Sequence, residues 1–212
     1  AQTLVTSGFV VGAGGTFNHA NGLLRFDNNG VFAAGTMNVT LPGALTVHDL
    51  QYSGGYGTAS IYQVNITAGS FNVLNQFRIG RTSGGATSTV LASGGTINLK
   101  GNLVVDPFGT VATHTPTNLV MDGTVAQTYE ATGGMIPSLT INKASGSVTP
   151  TVSTTDLVSF HFNLAQGDFT APPGTYTTVG NFTIAAGTTY THNGGSHFFR
   201  TFNYGGTQAY TI

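Results

Sequence analysis

Cysteine is absent from the 212 residues and charge nearly so, since Asp, Glu, Lys and Arg together make up 6% of the chain. An ordinary soluble domain carries about 25%. Without Cys, a disulfide framework, a thiolate metal site and a Cys nucleophile are all excluded. Six basic and seven acidic side chains leave a net charge of −1. No polybasic patch can form from so few, which argues against nucleic acid and anionic membrane surfaces as partners. Glu, Lys and Arg are too scarce for a coiled coil or helical bundle. No run approaches the ~18 apolar residues of a membrane-crossing helix, so no membrane insertion is expected. The opening Ala1-Gln-Thr-Leu-Val-Thr reads as a processed N-terminus or as part of a longer chain.

What is abundant is Gly (31 residues), Thr (35 residues) and apolar side chains, the last at 40% of the chain. That much hydrophobicity argues against disorder. Short apolar runs such as Leu103-Val-Val105 and Leu139-Thr-Ile141 lie between Gly, Asn and Asp-Pro turns, the pattern of short strands. The chain is therefore all-β. A neutral, Cys-free composition rich in Gly, Thr and Asn points to an extracellular or cell-surface location.

Three segments align by eye: Gly8-Phe-Val-Val-Gly-Ala-Gly-Gly-Thr-Phe-Asn-His19, Asn102-Leu-Val-Val-Asp-Pro-Phe-Gly-Thr-Val-Ala-Thr-His114 and Asn181-Phe-Thr-Ile-Ala-Ala-Gly-Thr-Thr-Tyr-Thr-His192. Downstream, Leu24-Arg-Phe-Asp27 matches Leu119-Val-Met-Asp122, and Leu45-Thr-Val47 matches Leu139-Thr-Ile141. The chain reads as one repetitive domain over 1–212, with cycles at about 1–94 and 95–173 and a partial third at 174–212. Strands this short cannot each bury a face alone; stacked as coils they share one core. A parallel β-solenoid (β-helix) with irregular coils is the leading fold, and a β-sandwich of hairpins the alternative.

The residues Gly15-Thr-Phe-Asn-His-Ala-Asn-Gly22, and Leu119 to Tyr129 followed by Leu139-Thr-Ile-Asn142, resemble motifs of large bacterial cell-surface proteins. Those adhesin-like or autotransporter-like proteins carry tandem β-helix repeats. The resemblance covers most of the chain, rests on turn-and-strand signatures, and departs from the pattern at 52–62 and 144–155. It implies an extracellular, elongated stalk or adhesive surface and no catalytic residue.

No enzyme is expected. The seven acids, Asp27, Asp49, Asp106, Asp122, Glu130, Asp156 and Asp168, are scattered, and Asp27 and Asp122 read as turn residues. Of six His, three (His19, His114 and His192) recur at one place in the cycle. Ligands a whole cycle apart do not converge on one metal, so neither a metal nor a cofactor is expected. Tyr52, Tyr56 and Tyr62, set among glycines where the repeat breaks, are the candidate ligand or subunit contacts. The competing reading packs them against the protein's own side. Phe198, Phe199 and Phe202 read as core or end-surface residues. The function expected is that of a structural protein, self-associating or joined to further repeats. The alternative is an adhesin module recognising a glycan or protein on another cell. Flat Thr arrays for ice are too irregular here to lead.

Overall fold

The computed structural model describes residues 2–4, 8–15, 17, 20–27, 35–53, 61–80, 89–107, 116–200 and 210–211. Among them the chain is all-β, without helix. The early strands are β1 Gln2–Leu4, β2 Gly8–Val10, β3 Leu23–Asp27, β4 Gly35–Ser53, β5 Ile61–Ile79 and β6 Thr89–Ser93. The central ones are β7 Thr96–Leu99, β8 Asn102–Val105, β9 Asn118–Met121, β10 Gln127–Ala131, β11 Met135–Ile136 and β12 Ser138–Pro150. The last are β13 Leu157–Ser159, β14 Phe162–Thr170, β15 Thr175–Thr178, β16 Phe182–Ile184, β17 Thr189–Thr191, β18 Ser196–Phe199 and β19 Tyr210–Thr211.

Every pairing between these strands is parallel; among the described residues the one antiparallel contact is the isolated bridge of Ser93 with Pro116. Hairpins, which a sandwich of the expected kind needs, are thus absent among the described residues. The longest ladder stacks Leu45, Phe71, Ile97, Leu119, Leu139, Phe162, Phe182 and Tyr210, in steps of 20 to 28 residues. A second stacks Leu24, Leu50, Phe77, Leu103 and Tyr129 in steps of 26 or 27. A third carries Met37, Val64 and Ala92, and a separate four-stranded sheet carries Ile136, Ser159, Thr178 and Phe199. The long strand β5 joins all three of these first ladders and β12 joins the first two. Pairing therefore closes into a parallel circuit, β5–β7–β9–β12–β10–β8 and back to β5.

Alternation explains the core. In β7, β8 and β9 every second side chain is buried, as period-2 geometry demands when one face meets the interior. The inward residues of all ladders form one cluster running from Phe9 to Phe182. It crosses 94/95 and 173/174 without a break, as β5–β7 and β13–β15 pairing also does. Aromatic rings extend the ladders: Phe162 stacks on Phe182 at 5.1 Å and Tyr129 on Phe169 at 5.5 Å.

The segments that align by eye lie on different ladders. Gly8–Val10 pairs with Asn38–Thr40, Asn102–Val105 stacks beneath β5 and above β10, and Phe182–Ile184 belongs to the Leu45 ladder. Likewise Leu24 stacks over Leu50 whereas Leu119 stacks under Ile97. Only the Leu45 and Leu139 segments share a ladder. The reason is physical. Every strand faces the same core, so all carry the same alternation, and similarity in sequence does not identify the stacking partner.

Gly69 shows what a corner needs. Its φ is +77°, and a Cβ there would sit 2.5 Å from the Gly43 carbonyl oxygen and 2.6 Å from the Leu41 Cβ of the preceding layer. Only a residue without a side chain fits both the left-handed backbone and the close approach.

Candidate functional site

The outer face of the Leu24–Tyr129 ladder carries four of the scarce charges, Arg25, Asp49, Arg78 and Glu130. Arg25, Gln51, Arg78, Val104 and Glu130 occupy equivalent outward positions on β3, β4, β5, β8 and β10. Asp49, Gln76 and Asn102 form the neighbouring outward column. In a chain with six basic and seven acidic residues, this convergence marks the face out from the Leu45 ladder. There the outward column is Thr46, Asn72, Asn98, Val120, Thr140, Asn163 and Thr183, with no charge at all.

The ions on the charged face are held in place. Arg78 donates from Nε and Nη2 to the two oxygens of Asp106, both at 2.7 Å. That bidentate bond raises the guanidinium pKa further against the opposing cost of burial. Arg25 Nη2 lies 2.6 Å from Asp27 and donates to Ser53 at 3.1 Å. Asp49 accepts from Asn75 Nδ2 at 2.8 Å and meets His48 Nδ1 at 2.9 Å. Between the two columns lies a cavity of about 260 Å³, lined by Leu23, Asp49, Gln51, Asn75, Gln76 and Arg78. The carboxamides of Gln51 and Gln76 make no hydrogen bond to the protein among the described residues, although both are half-buried.

The tyrosines expected to bind a partner are placed otherwise. Tyr52 is 0% exposed, between Phe26 at 5.7 Å and Phe77 at 5.2 Å. Tyr62 is 5% exposed, and its hydroxyl donates to Met37 Sδ at 3.5 Å. Both phenol pKa values are pushed up, chiefly by burial. Tyr52 and Tyr62 are therefore core residues with no surface to offer a ligand, because each continues the inward alternation of its strand. Tyr56 lies outside the described residues, as do His19, His114 and Phe202.

Apart from the His48–Asp49 pair, the described histidines do not gather with carboxylates, and no group of three or more His, Asp or Glu that could hold a metal exists among the described residues. His161 Nδ1 accepts from the Asn181 amide at 2.8 Å, and burial lowers its pKa. His197 is sandwiched between Tyr176 and Phe199, each at 4.4 Å. Its nitrogens meet the hydroxyls of Tyr190 and Thr178, each at 3.1 Å. Burial, with a smaller contribution from His192, brings its pKa down to about 4. Phe198 and Phe199 beside it are 49% and 42% exposed, an end surface.

One buried cation went unremarked in the sequence. Lys143 is 1% exposed, and its ammonium donates to the Gly123 and Val125 carbonyls and to Gln127 Oε1, the last two at 2.7 and 2.8 Å. Gln127 in turn donates to the carbonyls of Leu99 and Gly101. The pair ties successive bends together by donating to backbone carbonyls on both. Burial lowers the Lys143 pKa, partly offset by Asp122.

The charged groove was legible in principle, since Arg25 and Arg78 lie two 26- or 27-residue steps apart. Finding it requires the stacking step first. No family model, no curated protein and no solved structure matches the chain.

Proposed function

We propose that the stacked parallel ladders constitute a β-solenoid and that the chain is a non-enzymatic extracellular structural protein. It serves as a self-associating subunit of a fibre or surface layer, or as a stalk segment of a surface protein. The observation that carries this reading is the Leu45 ladder, in which eight strands stack in parallel beneath an outward column without charge. An uncharged column of mostly short polar side chains sets no charge repulsion against close packing of copies. Asn98 donating to Asn72 at 3.0 Å, and Thr140 to Asn118 at 3.1 Å, tie that face from layer to layer. The non-enzymatic reading is supported by the carboxylates, several of which are committed to cations: Asp27 to Arg25, Asp106 to Arg78 and Asp122 to Lys100.

Negative-stain electron microscopy over a concentration series, with light scattering alongside, tests self-association. Regular filaments or sheets appearing as concentration rises are the expected result. Dispersed monomeric rods at every concentration would remove self-assembly as the role.

A further inference from the structure

We propose that the groove between Asp49, Gln51, Gln76 and Arg78 is a binding site for a neutral saccharide, independent of self-association. Its walls come from adjacent parallel strands, with Gln51 beside Arg78 and Asp49 beside Gln76 in register. Adjacent strands are about 4.8 Å apart, close to the width of a pyranose ring. Side chains on neighbouring strands thus reach hydroxyls on both sides of one sugar.

The chemistry of the lining selects the class of ligand. A sugar hydroxyl both donates and accepts, and a carboxamide offers both functions on one planar group. Gln51 and Gln76 present two such groups without a protein partner among the described residues, facing the 260 Å³ cavity. That volume accommodates one sugar ring and lies just below the usual range for ligand sites, about 300–1,000 Å³. Leu23 supplies an apolar patch for ring C–H groups. Arg78 is neutralised by Asp106, and Asp49, held by Asn75 and His48, leaves one carboxylate charge in the wall. That charge disfavours an anionic ligand and accepts from sugar hydroxyls, so a neutral saccharide is favoured over an acidic one. Holding Asp49 and Arg78 beforehand lowers the ordering cost of binding.

The test is saturation-transfer NMR with three neutral probes, cellotetraose, chitotriose and maltotetraose, and with tetragalacturonate as the acidic comparison. At least one neutral probe is expected to give saturable transfer in the millimolar range or tighter. Its affinity is expected to fall about tenfold or more in the Gln51→Ala/Gln76→Ala double variant, since two hydrogen-bonding groups are lost. Neither side chain bonds the protein among the described residues, so the double variant is expected to keep the parent's thermal unfolding midpoint. No saturable transfer from any neutral probe would overturn the assignment. So would transfer unchanged in a folded double variant, or binding confined to tetragalacturonate. A monomeric protein that binds a neutral probe would leave this site standing while removing self-assembly.

Discussion

Raising the pH above 10 is expected to unfold this protein cooperatively, with the buried tyrosines as the cause. Tyr52, Tyr129 and Tyr176 are 0%, 0% and 1% exposed, and burial pushes each phenol pKa well above 10.0. In the unfolded chain the same phenols ionise at about 10. Above that pH the native state therefore holds more protons than the unfolded state, and stability falls as pH rises. Each tyrosine contributes about 1.4 kcal/mol per pH unit, so these three contribute about 4 kcal/mol per unit, to which Tyr62 and Tyr190, also raised by burial, add. Lys143 acts with the opposite sign. Its lowered pKa means that the unfolded state holds the extra proton, so stability rises with pH up to about 10.5 and the effect is then complete. A total stability on the order of 10 kcal/mol would be exhausted at or below about pH 12.5. The assay follows tyrosinate absorbance and far-ultraviolet circular dichroism on one sample. The two signals should change together in one steep step. The Tyr52 hydroxyl is buried without a hydrogen-bond partner. Tyr52→Phe should therefore cost little at neutral pH, cut the slope by about 1.4 kcal/mol per unit, and move the midpoint upward. If tyrosinate instead forms gradually near pH 10 while the β signal holds, the rings are reachable by solvent and the reasoning fails.

Gly69→Ala should destabilise by about 2 kcal/mol or more, from its left-handed φ and its contact with the Gly43 carbonyl; a urea midpoint equal to the parent's would refute the corner argument. Lys143→Met removes the donor shared by Gly123, Val125 and Gln127, with an expected loss of about 2–4 kcal/mol by denaturant titration. Acid should loosen the Phe198–Phe199 end. His197 titrates at about 4 in the fold against about 6.5 unfolded, so its stability is present above pH 6.5 and lost as pH falls toward 4. Discounted for partial solvent access, the effect is about 1–2 kcal/mol. It should appear as a fall in Tm between those pH values that shrinks in His197→Gln.

The all-β class and the glycine corners were legible from composition and turn residues, because both follow from local chemistry. The stacking partners were not. Leu24-Arg-Phe-Asp27 and Leu119-Val-Met-Asp122 read alike since both insert alternate residues into the same core, yet they stack on different ladders. Tyr52 and Tyr62 drew attention by lying near glycines, but strand alternation points both inward. Once the stacking step is known, Arg25, Gln51 and Arg78 fall into one column and the groove emerges. Lys143 is the reverse case, because nothing local distinguishes a lysine that will be enclosed by carbonyls from two bends.

A ladder whose rungs each rest on the residues 20 to 28 places earlier has a mechanical consequence. Tension applied across the chain ends meets a series of similar, separately breakable steps. Each step that peels away frees about 70–100 Å of contour length at ~3.4 Å per residue. In an optical trap this becomes a sawtooth of near-equal teeth, so the molecule would act as an extensible shock absorber that yields by degrees.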